Sequence, residues 1–190
     1  MNSELYSVYK RVMTWFGDIM LATSPPKTKA EQILAMAPYL VKGNVICRYY
    51  TYYLDGIFIP GEFTHSSIVA GKDKVVHSVA EGVQIIHPID FVKDTDGFLI
   101  GKPDYSESGA DRAVDRALWH VDNKSEYDFL FNDPNKVYCH ELTADCLRYG
   151  GIDIMRTKKT FGIFPFQFTK VIYLADNIIR KCRTEYVFRG

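Results

Sequence analysis

The chain has 190 residues and a mass of 21.8 kDa, and its 23 basic residues balance 23 acidic ones. Zero net charge disfavours a nucleic-acid binder that works by bulk phosphate neutralisation, and a polybasic membrane-surface protein as well. With 13 Tyr, 12 Phe and 2 Trp, disorder is excluded and a single domain spanning residues 1–190, with a large core, is expected.

Residues 1–40 read as an N-terminal helical segment. Leu5, Tyr9, Val12, Met13, Phe16, Ile19 and Met20 fall at helical spacing over Ser3 to Ala22. Ser24-Pro25-Pro26 breaks that helix, and Thr28-Lys29-Ala30-Glu31 has the form of a capping box opening a second helix through Ala37. Strand texture follows over Val45 to Leu54, and Gly56 to Gly61 turns the chain. Ser66 to Ala70 and Lys74 to Val79 form a hairpin around Gly71-Lys72-Asp73, Val83 to Ile86 continues the sheet, and His87-Pro88 ends it. Phe98 to Gly101 reads as a further strand and Ser108 to Val121 as a helix with Ala110, Val114, Ala117, Leu118 and Val121 on one side. Asn132-Asp133-Pro134-Asn135 turns into a helix that begins near Tyr138-Cys139 and stops at Gly150-Gly151. An apolar stretch, Thr160 to Leu174, closes a core of residues 41–175, and residues 176–190 read as a basic tail. The expectation is an α+β fold, an antiparallel sheet or half-barrel packed against helices.

The four cysteines, Cys47, Cys139, Cys146 and Cys182, form no CxxC pair, so reduced thiols in a cytoplasmic compartment are expected. Residues 1–5 carry an early acid and lack a basic n-region before an apolar run, and no window is long enough for a transmembrane segment. Cytoplasmic location follows as the expectation, which accommodates a virus or phage product in a host cell.

The cysteines are unequal by position. Cys139 opens a helix, where unsatisfied N–H groups and the positive end of the dipole favour thiolate and offer an oxyanion hole. Such a setting lowers a thiol pKa of about 8.5 toward roughly 3.5–7.5 when a histidine joins it. Cys146, seven positions later inside the same helix, lacks those groups and reads as core. A nucleophilic thiol needs a base. His65 stands at the start of a strand, and His77 follows twelve positions on, across the hairpin, so adjacent antiparallel strands bring the two within reach. One imidazole then serves the thiol as general base and acid while the other orients it.

Gly61-Glu62-Phe63-Thr64-His65-Ser66-Ser67-Ile68-Val69 resembles the histidine motif of the NlpC-type papain-like hydrolases. In that superfamily a third polar residue lies about one hairpin later, where this chain has His77, and Ala80-Glu81-Gly82-Val83 resembles the run that follows it. The cysteine motif normally precedes the histidine; here its counterpart, Val137-Tyr138-Cys139-His140-Glu141-Leu142, comes after. That order resembles the circularly permuted branch, whose members are the YiiX-like proteins, a poxvirus group and the lecithin retinol acyltransferase-like proteins. Gly43-Asn44-Val45-Ile46 and Tyr127-Asp128-Phe129 extend the likeness across residues 43–150. The resemblance implies Cys139 as nucleophile, His65 as base and His77 as orienter, with no cofactor and no metal.

Two departures stand out. The branch commonly has Ser after the nucleophile, and this chain has His140; YiiX-like members often have Glu at the third position, so Glu81 rivals His77 if the strand runs that far. Tyr138, Asp128 and Glu141 are further candidates close to the site. The implied substrate is a small-molecule, peptide or lipid acyl compound bearing an amide, ester or thioester, and the enzyme a peptidase or amidase, an acyltransferase or a thioesterase. Arg48-Tyr49-Tyr50-Thr51-Tyr52-Tyr53 and Phe161 to Phe168 are either an apolar groove that suits lipid or ordinary core. Two rival readings stand beside hydrolysis: a non-catalytic binding module on the same fold, and a zinc site drawn from His65, His77, Cys139 and His140. Oligomeric state is not legible.

Overall fold

The computed structural model describes residues 3–17, 25–51, 61–106, 108–163 and 166–190. Its main sheet has six antiparallel strands in the order β4-β3-β2-β1-β5-β8, formed by β1 (Val45–Tyr49), β2 (His65–Gly71), β3 (Lys74–Val79), β4 (Gly82–Ile86), β5 (Gly97–Pro103) and β8 (Cys182–Arg189). A separate hairpin joins β6 (Thr157–Ile163) to β7 (Phe166–Ile172).

Both faces of the sheet are covered, and strand alternation sorts the side chains between them. One face carries Val45, Cys47, Ile68, Val76 and Leu99 toward α4 (Gly109–Asp122) and α5 (Cys139–Tyr149), whose Ala113, Val114, Ala117, Leu142, Cys146 and Leu147 meet them. The other carries Ile46, Val69, Val75, Phe98 and Ile100 toward Met36 of α2 (Ala30–Met36) and Phe91 and Val92 of α3 (Pro88–Val92). Ile46, Ile68 and Ile100 are wholly buried, each contributing about 1.5–3 kcal/mol by leaving water. The buried stretches 45–47, 68–69, 75–76 and 98–100 therefore read as continuous apolar runs, without the polar alternation of a half-exposed sheet.

Two glycines are required by geometry. Gly43 sits at φ +87°, and a Cβ there would lie 2.7 Å from Ala110 Cβ, so it permits α4 to approach the lead into β1. Gly82 sits at φ +113° with the Ser125 carbonyl oxygen 2.8 Å from where its Cβ would stand. That carbonyl accepts from Val83 N–H at 2.9 Å and ties the β4 edge to the segment leading to α5.

Several sequence expectations shift. The first helix, α1, is described over Ser3–Gly17, and the rest of the expected helix lies in residues 18–24, outside the described residues. β1 ends at Tyr49; residues 52–60, including the expected Gly56 turn, also lie outside them. Thr28 does not cap α2: its hydroxyl pairs with Thr95 Oγ1 at 3.0 Å, and the end is closed by Lys29 N–H donating to Gln32 Oε1. Pro88 does not simply end the sheet. It occupies the first turn of α3, where proline lacks only an N–H that has no helical partner, and His87 Nδ1 caps that helix by accepting from Ile89 N–H. Residues 176–190 hold most of α6 (Ala175–Ile179) and the edge strand β8, which pairs with β5 from Gly97↔Arg189 to Pro103↔Cys182. No helix among the described residues is long and apolar enough to cross a membrane.

Candidate active site

α5 starts at Cys139 because the chain before it is pinned on both sides. Asp128, buried, accepts from the backbone N–H groups of Leu130, Asn132 and Asp133 at 3.0, 2.6 and 3.0 Å and shapes the preceding loop. Val137 N–H then donates to Glu126 O at 3.0 Å, and Ser78 Oγ of β3 donates to Val137 O at 2.6 Å. Tyr138 takes the cap position in extended conformation without a side-chain cap. Its hydroxyl is committed elsewhere, accepting from Tyr173 N–H at 2.5 Å, and its ring meets Phe131 edge-on at 4.8 Å. Burial pushes the Tyr138 phenol up, so it stays protonated. Tyr138 is thus a packing and hydrogen-bonding residue that anchors the helix start.

Cys139 is fully buried, and its Sγ lies 3.8 Å from the carbonyl oxygen of Thr64, the peptide group that carries His65. The helix start is fastened to β2 by one serine. Ser66 Oγ lies 3.3 Å from Cys139 O, 2.9 Å from His140 Nδ1 and 2.9 Å from Thr143 Oγ1, and the Thr143 hydroxyl donates to Cys139 O at 3.1 Å. His140 is buried on this helix-facing side, and burial alone pulls its imidazole down to about 3.

His65 and His77 occupy the opposite face of the sheet. His65 Nε2 and His77 Nδ1 are 3.1 Å apart, with ring planes at 84°. Both rings pack on Phe91, at centroid distances of 5.4 and 5.6 Å. Being the first residue of β2, His65 stands where the sheet ends and the sulfur of Cys139 approaches. Burial, then the nearby Arg48 guanidinium, lower the proton affinity of both: His65 falls well below the ordinary histidine value and His77 falls to about 4. Arg48 pairs directly with His65 across β1 and β2, lies 4.2 Å over the Phe91 ring, and donates through Nη1 to the Phe91 carbonyl.

The remaining candidates are placed as follows. Glu81 stands in the exposed turn after β3, because the strand ends at Val79; the partner on His65 Nε2 is His77. Glu141, in the first turn of α5, lies about 200° around the helix from Cys139. Burial first, then Asp128, raises its carboxyl to about 7. Asp128 organises its own loop. The four groups of the zinc reading do not converge: His140 is bonded to Ser66 on one sheet face while the His65–His77 pair lies on the other, and no group of three or more metal-ligating side chains forms among the described residues. The aromatic stretch separates as well. Tyr49 meets Phe63 edge-on at 5.8 Å in the core, and Phe161 stacks on Phe131 at 6.1 Å; Tyr52, Tyr53, Phe164 and Pro165 lie outside the described residues.

The sequence reading missed Ser66, Thr143, Arg48 and Phe91. Thr143 was findable, since it lies four positions after Cys139 on the same helix face. The other three are set by strand register and by α3. A second buried network also escaped it. His120 links Ser125 Oγ at 2.9 Å through Nδ1 to Asp145 Oδ2 at 3.1 Å through Nε2. Asp145 also receives Arg116 of α4, which clamps α4 to α5, and Arg148 of its own helix, both at 2.5 Å, so the carboxylate's charge is spent on ion pairs. This network orients the cysteine helix from behind.

An antiparallel sheet with a strand-start histidine beside a cysteine that opens a helix defines a papain-like arrangement, here with the cysteine later in the chain. A family model described as "permuted papain-like amidase enzyme, YaeF/YiiX, C92 family" matches residues 39–172. The chain belongs to that family, and thus to the papain-like amidases and peptidases in their permuted form. No curated protein matches the chain.

Proposed function

We propose that the protein is a cysteine amidase that works through an acyl-enzyme on Cys139. The observation that carries this reading is the juxtaposition at the β2 start: the Cys139 sulfur rests on the peptide of His65, whose Nε2 is hydrogen-bonded to His77. A neutral His65 that donates its Nε2 proton to His77 Nδ1 keeps a lone pair on Nδ1 for the thiol.

As the sulfur attacks the carbonyl carbon, its proton passes to His65 and the C–S bond forms. The N–H groups of the first turn of α5 receive the negative charge that develops on the carbonyl oxygen. His65 returns the proton to the leaving amine as the C–N bond breaks. A water, deprotonated by His65, then attacks the thioester carbonyl and frees the acid and the thiol. Because Cys139 is fully buried, neighbouring side chains must shift for a substrate to reach it.

Amide is favoured over ester or thioester by the family's description, and water over another acyl acceptor by the same reasoning. The test is a panel of peptide-amide, acyl-ester and acyl-thioester substrates, each with and without an added amine or alcohol acceptor. Wild type should release amine from the amide members, and Cys139→Ser should not. Equal rates for the two proteins on every member would instead identify a non-catalytic module.

A further inference from the structure

We propose that Lys159 and Lys170, opposite each other on the β6–β7 hairpin, bind an anionic group of the substrate, so that the enzyme selects amides carrying a carboxylate or a phosphate. The inference rests on the reading of Cys139 as nucleophile, and names the class of compound it attacks.

In a chain whose total charge is zero, the stretch from Arg156 to Ile172 holds four cations, Arg156, Lys158, Lys159 and Lys170, and no acid. Strand alternation sorts them. Lys158, Thr160, Thr169 and Val171 are exposed, and the Thr160 and Thr169 hydroxyls meet at 3.1 Å on that outer side. Phe161 and Ile172 are buried in the main core, and alternation puts Lys159 and Lys170 on their face. The two lysines are direct cross-strand partners, in the rung between Phe161 and the Thr157–Ile172 pair. Arg156 is committed to the Tyr173 ring, 4.8 Å away.

Like charges directly opposite work against strand pairing. A carboxylate between them would offset that, yet among the described residues neither lysine has an ion pair or a hydrogen bond. Both are half-buried on the inward face. Solubility does not account for them, because the outer face offers exposed positions and Lys158 already takes one. Two part-buried ammonium groups without an internal acceptor suit a ligand that brings its own acceptor oxygens.

The lysine rung is joined to the start of the cysteine helix from both sides. On one side Phe161 stacks on Phe131 at 6.1 Å, and Phe131 meets the Tyr138 ring at 4.8 Å. On the other, Ile172 leads into Tyr173, whose N–H donates to the Tyr138 hydroxyl at 2.5 Å. Both neighbours of the rung are thus tied to Tyr138, the residue before Cys139. A substrate held at Cys139 by its carbonyl can lay a more distant part of its length along this hairpin, where an anion meets two cations. Remote binding of this kind orients the reacting bond without touching it.

The experiment uses the full chain and short peptide amides carrying glutamate, glutamine, phosphoserine or serine at each position in turn. Binding is read by calorimetry on Cys139→Ala, and cleavage on the wild type. At one position an anionic member should bind about tenfold more tightly than its neutral counterpart, and the gap should shrink at high salt. A glutamate preference assigns a carboxylate, and a phosphoserine preference a phosphate. Replacing both lysines, Lys159→Met with Lys170→Met, keeps the apolar stems. It should abolish the preference through KM and leave kcat on the neutral member unchanged. The arginine pair should retain the preference, and the glutamate pair should reverse it. Equal binding of anionic and neutral members by Cys139→Ala overturns the proposal, whether or not the hairpin variants fold. So does a preference that survives the methionine pair. Lysine-dependent binding without cleavage by the wild type sinks the amidase reading alone. Cleavage of charged and neutral members with one kcat/KM sinks this inference alone.

Discussion

His65 and His77 stand twelve positions apart in the chain and meet ring to ring, Nε2 to Nδ1 at 3.1 Å, on adjacent strands of one hairpin. The relation assigns them unequal work. In the proposed mechanism His65, at the strand end beside the peptide that the thiol touches, would exchange protons, and His77 would fix its tautomer and ring plane. Removing a general acid and base costs about 10²–10⁴-fold in rate, so His65→Ala should fall in that range in kcat. His77→Ala should lose about tenfold or more and keep its KM, and His77→Asn should recover part of the loss by accepting from the same Nε2–H. Steady-state kinetics on an amide substrate checks the order; a His77→Ala variant as active as wild type removes His77 from the account.

Acid sensitivity follows from His140. Its imidazole binds protons only near pH 3 in the folded protein, whereas in the unfolded chain it binds them at about 6.5. Between those values the unfolded state holds more protons, so stability falls as pH falls, by on the order of 3 kcal/mol for this group between pH 6.5 and 4. His77 is depressed in the same direction and adds to the trend. Urea unfolding at pH 7, 5.5 and 4.5 should show the decline. His140→Ser should lower stability at pH 7 through the space it leaves, yet flatten the slope.

Ser66 joins the cysteine helix to the strand that carries His65. Ser66→Ala removes the hydroxyl shared by Cys139 O, His140 Nδ1 and Thr143 Oγ1, leaving a buried ring nitrogen unpaired. A loss of about 1–3 kcal/mol is expected by chemical denaturation. Activity should fall as well, since the same contact sets the height of the helix start against the sheet.

The Asp145 network is a prediction of opposite electrostatic type. Burial pushes its carboxyl up, but the bonds from His120, Arg116 and Arg148 outweigh this and hold it far below the usual carboxylate range. A depressed acid stabilises the fold above its unfolded value, near pH 4, and that stability is lost as pH drops further. Asp145→Asn should therefore cost about 3 kcal/mol at pH 7, because Arg116 and the buried His120 lose their anion, and the difference from wild type should shrink below pH 4. Thermal melts across that range check both.

How much was legible follows from the range of each interaction. The hairpin with His65 and His77, and the helix opened by Cys139 and stopped by Gly150-Gly151, announce themselves through local period and turn chemistry. Glu81 was a rival because alternation puts it on the face of His77, and only the chain's turn after Val79, with Gly82 at positive φ, withdraws it. β8 resembled a charged tail because Arg183 and Arg189 are exposed along an edge strand, where such residues discourage pairing with other chains. α3 hid behind Pro88, read as a stop where it begins a helix. Arg48 and Phe91 act through register and packing between segments over forty residues apart, and no local pattern reports that.

The central claim, that Cys139 forms the acyl-enzyme, is tested most directly by trapping it. Wild type incubated with an amide-mimicking acyl electrophile at neutral pH, followed by intact-mass and peptide mapping, should gain one acyl group on Cys139. The adduct should be absent from Cys139→Ala and strongly reduced in His65→Ala. Cys182 is half-buried with its thiol pushed up to about 12, and Cys47 and Cys146 are buried in the core, so none should compete. An adduct on any of those three in wild type, or equal labelling of wild type and Cys139→Ala, would contradict the account.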